Sequence, residues 1–590
     1  MILSTLEIKG NIPFQTYLLS DTKIKKIVKE FDFYNIMFYR EEYASEFIVQ
    51  LRYPKGNLYW YLDFEKAINK QLFLESEYES DWKDLLNKLK NQVKREFDEL
   101  ASKLRKITAK DVVTETVKYQ LRDYQAFDLL QFLVKYKELG NKGLILSDPR
   151  TGKSRVALAA CGELLVGGDV ALIICPKSAQ IGWLDELLKL NDVNRIFTGK
   201  AVTKISELKK LELNMNYINV RVISYDLFKK LTVPQIRQLT SNSKHVVLVG
   251  DEIHRLRNFK TDQSKAIFDF KEFCTKDKID LGIIGLTGTI SVKDSTDVFG
   301  TLSLINDSKI QFRPYYESFN CFKEYFYYCE DTSFGKIAKA LRREHELNYI
   351  IQTCSVQTKQ KDLELFKGYT KKYLKIELDM DPQQEEIYDS VYDTMEYDED
   401  IDCQNKLVQL VRLQQICIDP SVLVASYASL SPKLKWIVGF AKKNNFKFIV
   451  ACKKAQILKH LMKVFDVCGI NYASLLGQYN FNDRRDQLAK FETDTSCKVM
   501  VLQFDTGKES LTLPMAHATI FLDRDFAQGF NEQAEARMTP IDGKACTKYV
   551  IDLVMKGTKE EEIYSTLVIK KKSIDAMNLV FKSKKGEWLC

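Results

Sequence analysis

This 590-residue chain is most informative at first for what it lacks. None of its thirteen cysteines stands in a CxxC pair, and no Cys/His group has zinc spacing. Reduced thiols in a cytosolic-type compartment are therefore expected. No apolar run approaches the about 18 residues of a membrane span, and no basic segment followed by an apolar one opens the chain. A soluble, cytoplasmic protein without a membrane partner is expected. There is no internal repeat, and no carboxylate cluster with a lysine stands apart as a nuclease centre. Excess charge of one sign is small: the formal net charge is +8, which permits nucleic acid without arguing for it. What is present, 45% hydrophobic and 28% charged residues, is ordinary for a globular protein. The length suggests roughly three to five domains.

The chain is organised around residues 143–155. Gly143 to Leu146 reads as a buried strand, and Ser147 to Ser154 spells SxxxxGKS, one residue away from the phosphate-loop pattern GxxxxGK[ST]. A helix-forming run of small apolar residues follows. In such a loop the backbone N–H groups and the helix N-terminus hold an anion. Thr151 and Gly152 would belong to the cradle, Lys153 would reach the β/γ-phosphates, and Ser154 would ligate Mg²⁺. The missing first glycine leaves a chance GKS at a helix start as the alternative. Thr198-Gly199-Lys200 and Thr506-Gly507-Lys508 lack the following Ser or Thr and do not complete the pattern.

Ahead of this loop, residues 1–110 look like a separate module. Phe47–Tyr53 and Leu58–Phe64 flank a Pro-Lys-Gly-Asn turn, and apolar residues from Trp82 to Leu104 recur at helical spacing. Basic and aromatic residues are interleaved here, so either an ordinary core with a solvated face or nucleic-acid contact fits. Leu121-Arg122-Asp123-Tyr124-Gln125 opens the next region. The Gln125 amide both donates and accepts, as reading adenine requires.

Beyond the loop, buried-strand runs occur at Val170–Cys175 and Val220–Ser224 and again at Val246–Gly250. The last ends in Asp251-Glu252. An acidic pair at a strand end suits a nucleotide site, Asp251 holding Mg²⁺ through water and Glu252 orienting the attacking water. The bland reading is a polar loop. Ile283 to Thr289 is one more apolar run, ending in small hydroxyl residues able to relay hydrogen bonds. Strands alternating with helices predict a parallel sheet with ligands at its C-terminal edge, so residues 113–290 read as one nucleoside-triphosphatase lobe. Residues 291–430 differ: aromatic-rich helical stretches span Phe312–Tyr328, and the acidic run Glu396–Asp402 reads as a solvated loop. The alternation resumes at Phe448–Ala451, Tyr472–Leu476, Val499–Leu502 and Thr519–Leu522, a second lobe without its own phosphate loop. Gln533 and Arg537 follow its last strand. If the lobes face each other, Arg537 could reach a γ-phosphate as an arginine finger. A surface polar pair is the alternative.

This collinear series resembles the Swi/Snf branch of superfamily 2 helicases and translocases. The resemblance is carried by Leu121–Gln125, Ser147–Ser154, Cys175–Lys177 with Trp183, Ser224-Tyr225, Asp251–Asn258 (DEIHRLRN) and Leu286–Ile290 (LTGTI). Further along it continues in Leu413–Pro420, in Gly477 with Arg484 and Phe491, and in Thr506–Ala516. Asp523, Gln533, Arg537, and Gly557-Thr558 with Glu561 close the series. It covers roughly residues 118–570. The resemblance implies an α/β fold of two RecA-like lobes with helical protrusions, preceded here by a small α+β module. The corresponding boundaries are 1–112 for the module, 113–365 for lobe 1 with a protrusion at 291–365, and 366–590 for lobe 2 with a protrusion at 383–430. It further implies ATP and Mg²⁺ between the lobes, with Gln125 at the base and Lys153, Asp251, Glu252, Gln533 and Arg537 in the catalysis. Duplex or branched DNA would be contacted by Pro176, Lys177, Ser178, Thr287, Gly288, Thr289, Thr506 and Gly507, with little sequence preference and strong salt dependence.

Departures from the family pattern are specific. Pro149-Arg150-Thr151 before Gly152-Lys153 resembles compact bacteriophage relatives, Pro540 stands where a second arginine is usual, and Lys508 and Ser510 replace glycines. No bromodomain-, chromodomain- or zinc-type extension is seen. The expected activity is a DNA-dependent ATPase moving on DNA in replication, recombination or repair. A strand-separating DNA or RNA helicase and a nucleotide-switched scaffold with little turnover are the alternatives.

Overall fold

The computed structural model describes residues 3–10, 36–40, 47–54, 79–177, 179–288, 295–305, 319–332, 335–479, 481–503, 513–524, 531, 534–535, 537–539 and 546–565. Within them the chain divides between Thr358 and Lys359 into two units.

The first unit opens with an antiparallel sheet of β1 (Leu3–Gly10), β2 (Ile36–Arg40) and β3 (Phe47–Pro54), with β3 in the centre. The strand expected at Phe47–Tyr53 is thus present, whereas Leu58–Phe64 lies outside the described residues. A long helix, Glu79–Arg105, follows. Leu89, Val93, Ala101 and Leu104 are buried along one side while Lys88 and Lys90 are exposed, the amphipathic division that the spacing predicts. Thr108 caps the next helix, Ala109–Tyr119, in a reciprocal capping box with Asp111. That cap starts the helix at 109, so the module boundary expected at 112/113 falls inside it.

The main sheet of this unit contains β4 (Lys142–Ile145), β5 (Val170–Cys175), β6 (Phe197–Val202), β7 (Ile218–Ser224), β8 (His245–Asp251), β9 (Asp280–Leu286) and β12 (Ser355–Val356). All are parallel, in the order β12-β4-β9-β8-β5-β7-β6. Alternate residues feed two cores. Leu172 and Ile174 join Leu144 and Leu248 on one face, and Ala171, Ile173 and Cys175 join Ile145 and Val249 on the other. Burial on both faces explains why these strands read as unbroken apolar runs. The Thr198-Gly199-Lys200 triplet lies in the edge strand β6, in register with Asn219–Arg221, and belongs to no phosphate loop.

The stretch after β9 is not purely helical. Helices Val298–Ile305 and Phe319–Phe326 are followed by an antiparallel hairpin, β10 (Tyr327–Thr332) and β11 (Gly335–Leu341), then the helix Glu344–Cys354. Tyr325, Phe326 and Tyr327 are buried with Phe322 and Phe299, which places in a core the aromatic residues that read as helical stretches.

The second unit has its own all-parallel sheet, formed by β13 (Tyr369–Leu378), β16 (Phe448–Cys452), β17 (Tyr472–Leu475), β18 (Val499–Gln503), β19 (Ala518–Phe521) and β20 (Cys546–Met555). Their order is β13-β20-β19-β16-β18-β17. Helices Pro382–Thr394 and Lys406–Ile418 follow β13. Between them the acidic run is a two-stranded hairpin, β14 (Glu396–Tyr397) and β15 (Ile401–Asp402), rather than a plain loop. Ile401 and Cys403 are buried with Val391 and Leu413, which anchors the hairpin while its carboxylates stay exposed. The two parallel sheets with flanking helices are the α/β architecture expected from the sequence. Among the described residues no helix is long and apolar enough to cross a membrane, and the twelve described cysteines carry no disulfide.

Candidate nucleotide-binding site

Three strands that are neighbours in the first unit's sheet, β4, β9 and β8, end in the three segments singled out from the sequence. Adjacent strands lie about 4.8 Å apart, so their C-terminal ends gather the phosphate loop, Thr287-Gly288 and Asp251-Glu252 on one edge.

The loop is held in shape from outside. Gly152 is the N-cap of the helix Lys153–Leu164 at φ +84°, a backbone conformation that L side chains rarely adopt. A Cβ there would also lie 2.0 Å from Gln125 Nε2. The carbonyl oxygen of Thr151 accepts from Gln125 Nε2 at 2.9 Å and from the Tyr124 hydroxyl at 3.1 Å. Gln125 Oε1 in turn accepts the Arg122 N–H at 2.9 Å. In this structure the Gln125 amide therefore grips the loop backbone. Tyr124, to which sequence reasoning gave no role, does the same. Thr151 is buried and donates to the Asp148 carbonyl at 2.7 Å.

Lys153 Nζ donates to the carbonyls of Ser147 (2.9 Å) and Asp148 (3.2 Å). Burial pulls its pKa down, while Glu252 and Asp251 push the other way. The loop lysine and the acidic pair thus share one electrostatic environment. Ser147, which occupies the place of the pattern's first glycine, accepts the Thr358 N–H through its hydroxyl at 3.1 Å, and Asp148 N–H donates to the Thr358 carbonyl at 2.9 Å. Thr358 is the last residue before the division between units. Substitution of the glycine thus fastens the end of the first unit to the phosphate loop. A lone sequence offers no signal for a pairing of this range.

Asp251 ends β8. Its Oδ2 accepts the indole N–H of Trp183 at 2.9 Å, and its carbonyl accepts the Tyr225 hydroxyl at 2.8 Å. Burial, reinforced by the Glu252 charge, pushes its pKa up to about 6. Glu252 stands at φ +53°, a strained backbone position for a residue with a side chain. Its burial works to raise its pKa, but the His254 hydrogen bond and charge, with Lys153 and Arg255, more than offset this and hold it below the ordinary value. His254 Nδ1 lies 3.2 Å from Glu252 Oε2 and 3.0 Å from Thr287 Oγ1. Thr287 is fully buried, and its hydroxyl lies 3.5 Å from Glu252 Oε2. Gly288 packs against the loop, where an added Cβ would lie 3.1 Å from Pro149 Cδ.

These residues fit a nucleoside triphosphate with Mg²⁺. The Ser154 hydroxyl at the start of a helix and the Asp251 carboxylate are hard oxygen donors. Among the described residues no group of three or more His, Cys, Asp or Glu could hold a metal. Mg²⁺ needs no such cage, since one or two carboxylates with substrate phosphates suffice.

Of the residues expected on the DNA side, Pro176 is buried and Lys177 exposed, at the end of β5. Ser178, Thr289, Thr506 and Gly507 lie outside the described residues, as do Gln533, Lys508, Ser510 and Pro540. Arg537 is buried in a turn in the second unit, its carbonyl accepting the Leu513 N–H at 2.8 Å. Nearby in sequence, Glu535 accepts from Arg524 at 2.8 Å and from the Tyr373 hydroxyl at 2.9 Å. Arg524 also bonds Asp552 and stacks 3.6 Å over the Phe521 ring. This clamp fixes the Arg537 segment to β19 and β20 and was not foreseen, because its contacts join residues up to 162 positions apart in sequence.

The order of these elements is that of a two-lobed nucleotide-binding protein. Residues 84–422 match the SNF2-related domain and residues 432–539 the helicase conserved C-terminal domain. The chain belongs to the SNF2-related family. It is 22% identical over 478 residues to human SWI/SNF-related matrix-associated actin-dependent regulator of chromatin subfamily A member 1, covering 76% of this chain and 43% of that protein. The Drosophila melanogaster subfamily A-like protein 1 is 22% identical over 450 residues, covering 74% and 54%. The chain thus spans about half the length of the curated relatives it matches. The Sulfolobus solfataricus SWI2/SNF2 ATPase core in complex with dsDNA is a similar solved structure, at 19% identity and a TM-score of 0.34, over 79% of this chain and 96% of that one.

Proposed function

We propose that this chain is a DNA-dependent ATPase that moves on duplex or branched DNA. The observation that carries the reading is the meeting of Lys153, Asp251, Glu252 and Thr287 at the ends of three adjacent strands. Lys153 rests on two neutral carbonyls and would exchange them for phosphate oxygens, a stronger charge-assisted contact. Ser154 and Asp251 would hold Mg²⁺, which supplies charge neutralisation at the phosphates. Glu252, kept ionised by His254, would orient and deprotonate the attacking water. Arg537, and Gln533 beside it in sequence, would complete the site from the second unit. Lys177 and the segment after β9 would meet DNA. The Pro149-Arg150-Thr151 form, which resembles compact bacteriophage relatives, supports a bacterial host cytoplasm as the location, and replication, recombination or repair is the role proposed there.

The test is a steady-state ATPase rate without nucleic acid and with duplex DNA, single-stranded DNA, a four-way junction or RNA. Stimulation by duplex or junction is expected. A second reading, a strand-separating helicase, is favoured by the β10–β11 hairpin, whose Tyr328 and Ile337 are exposed. Stimulation by single strands or RNA alone would select it. ATP binding without turnover on any of them would select a nucleotide-switched scaffold.

A further inference from the structure

Trp183 is 3% exposed, on the helix Ala179–Asn191 that follows β5. A buried indole N–H needs an acceptor, and a nearby backbone carbonyl would ordinarily serve. Here the acceptor is a carboxylate 68 positions away, Asp251 Oδ2 at 2.9 Å. The sheet explains the meeting. β5 lies beside β8, so the helix leaving β5 passes the end of β8 where Asp251 sits. β7 lies on the other side of β5, and Tyr225, the first residue after it, reaches the Asp251 carbonyl. Two buried aromatic residues, from the segments that follow two adjacent strands, thus fix both the backbone and the side chain of one acidic residue.

A carboxylate that presents one oxygen to a metal is oriented by what the other oxygen bonds. We propose that Trp183 is a positioning residue for Mg²⁺: its indole N–H occupies Asp251 Oδ2 and turns Oδ1 toward the metal position. The inference rests on the nucleotide-site reading above. It assigns to the tryptophan a task that its shape alone does not perform, since the packing belongs to the rings and the orientation to the N–H.

The test uses the full chain with Trp183→Phe. In a second variant Trp183 is replaced by β-(3-benzothienyl)alanine, which keeps the bicyclic shape and puts sulfur in place of the N–H. The readout is the anisotropy of mant-ATP, titrated with Mg²⁺ and repeated in EDTA. In both variants half-saturation by Mg²⁺ is expected about 10-fold higher, the scale of losing a partner of a metal ligand. Binding in EDTA and the melting temperature of the benzothienyl variant stay unchanged. An unchanged Mg²⁺ dependence in the benzothienyl variant overturns the proposal and leaves Trp183 as core packing, whatever the Phe variant does. Equal weakening with and without Mg²⁺ overturns it too, since the effect is then on pocket shape. Wild-type protein that binds mant-ATP without regard to Mg²⁺ overturns the metal-site reading itself, an outcome visible before any variant is compared.

Discussion

The two units carry nearly the same parallel sheet and treat its C-terminal edge in opposite ways. In the first, the cation at the edge, Lys153, lies on the neutral carbonyls of Ser147 and Asp148. In the second, two largely buried cations are paired with carboxylates. Lys433 bonds Glu560 at 2.6 Å and the Leu522 carbonyl at 2.8 Å, and Arg524 lies between Asp552 and Glu535. Asp552 and Glu535 raise the pKa of Arg524 against the effect of its burial. Neutral partners can be exchanged for an anion at little cost, whereas a buried ion pair broken on one side strands a charge. One edge thus holds its lysine on exchangeable neutral partners and the other holds two cations in buried ion pairs, and the difference lies in the loops rather than in the strands.

Lys153→Ala should remove the first unit's distinction altogether, with ATPase activity falling to background in a steady-state assay; preserved turnover would detach the loop from the chemistry. Glu252→Gln should retain ATP binding and lose cleavage, measured as mant-ATP affinity against single-turnover hydrolysis. Loss of binding instead would make Glu252 a structural residue. Arg537→Ala asks whether the second unit contributes chemistry at all, and a loss of about 10³-fold or more in kcat is expected for a sole arginine finger. A loss under tenfold would return the second unit to pure scaffold. Arg524→Ala should destabilise the second unit by about 3 kcal/mol, because Asp552 and Glu535 are left buried without their cation. Amide hydrogen exchange should speed up in β19 and β20 and stay unchanged in β4 and β8. The smallest effect is expected from Tyr124→Phe. It removes one of two hydrogen bonds to the Thr151 carbonyl, worth about 1 kcal/mol, and should raise the KM for ATP a few-fold with kcat retained.

Much of this was legible in the sequence because the strands of both sheets are buried on both faces. Gly143–Leu146 and Val246–Gly250 show as continuous apolar runs, and the phosphate loop and the acidic pair stand at their ends. Edge strands were legible only in part: β17 shows as the run Tyr472–Leu476, whereas β13 and β6 do not show. β13 is exposed along most of its length and carries three lysines, and β6 contains a Thr-Gly-Lys triplet that breaks its apolar run. The hairpins β10–β11 and β14–β15 were hidden for a related reason: one is masked by aromatic residues that pack in a core, the other by carboxylates that coat a surface.

Local patterning was thus enough to determine two parallel α/β units, their core strands, and which segments end at the C-terminal edge of the first sheet. A period of apolar residues and a tight glycine turn are properties of neighbours in sequence. Tertiary structure alone decided what those residues touch. Trp183 meets Asp251, Ser147 fastens Thr358, His254 joins Glu252 to Thr287, and Arg524 ties Glu535 to Asp552. Each is a short-range polar contact between side chains or backbones far apart in the chain. Its geometry follows from strand order and crossover, which the periodicity of a single strand does not encode.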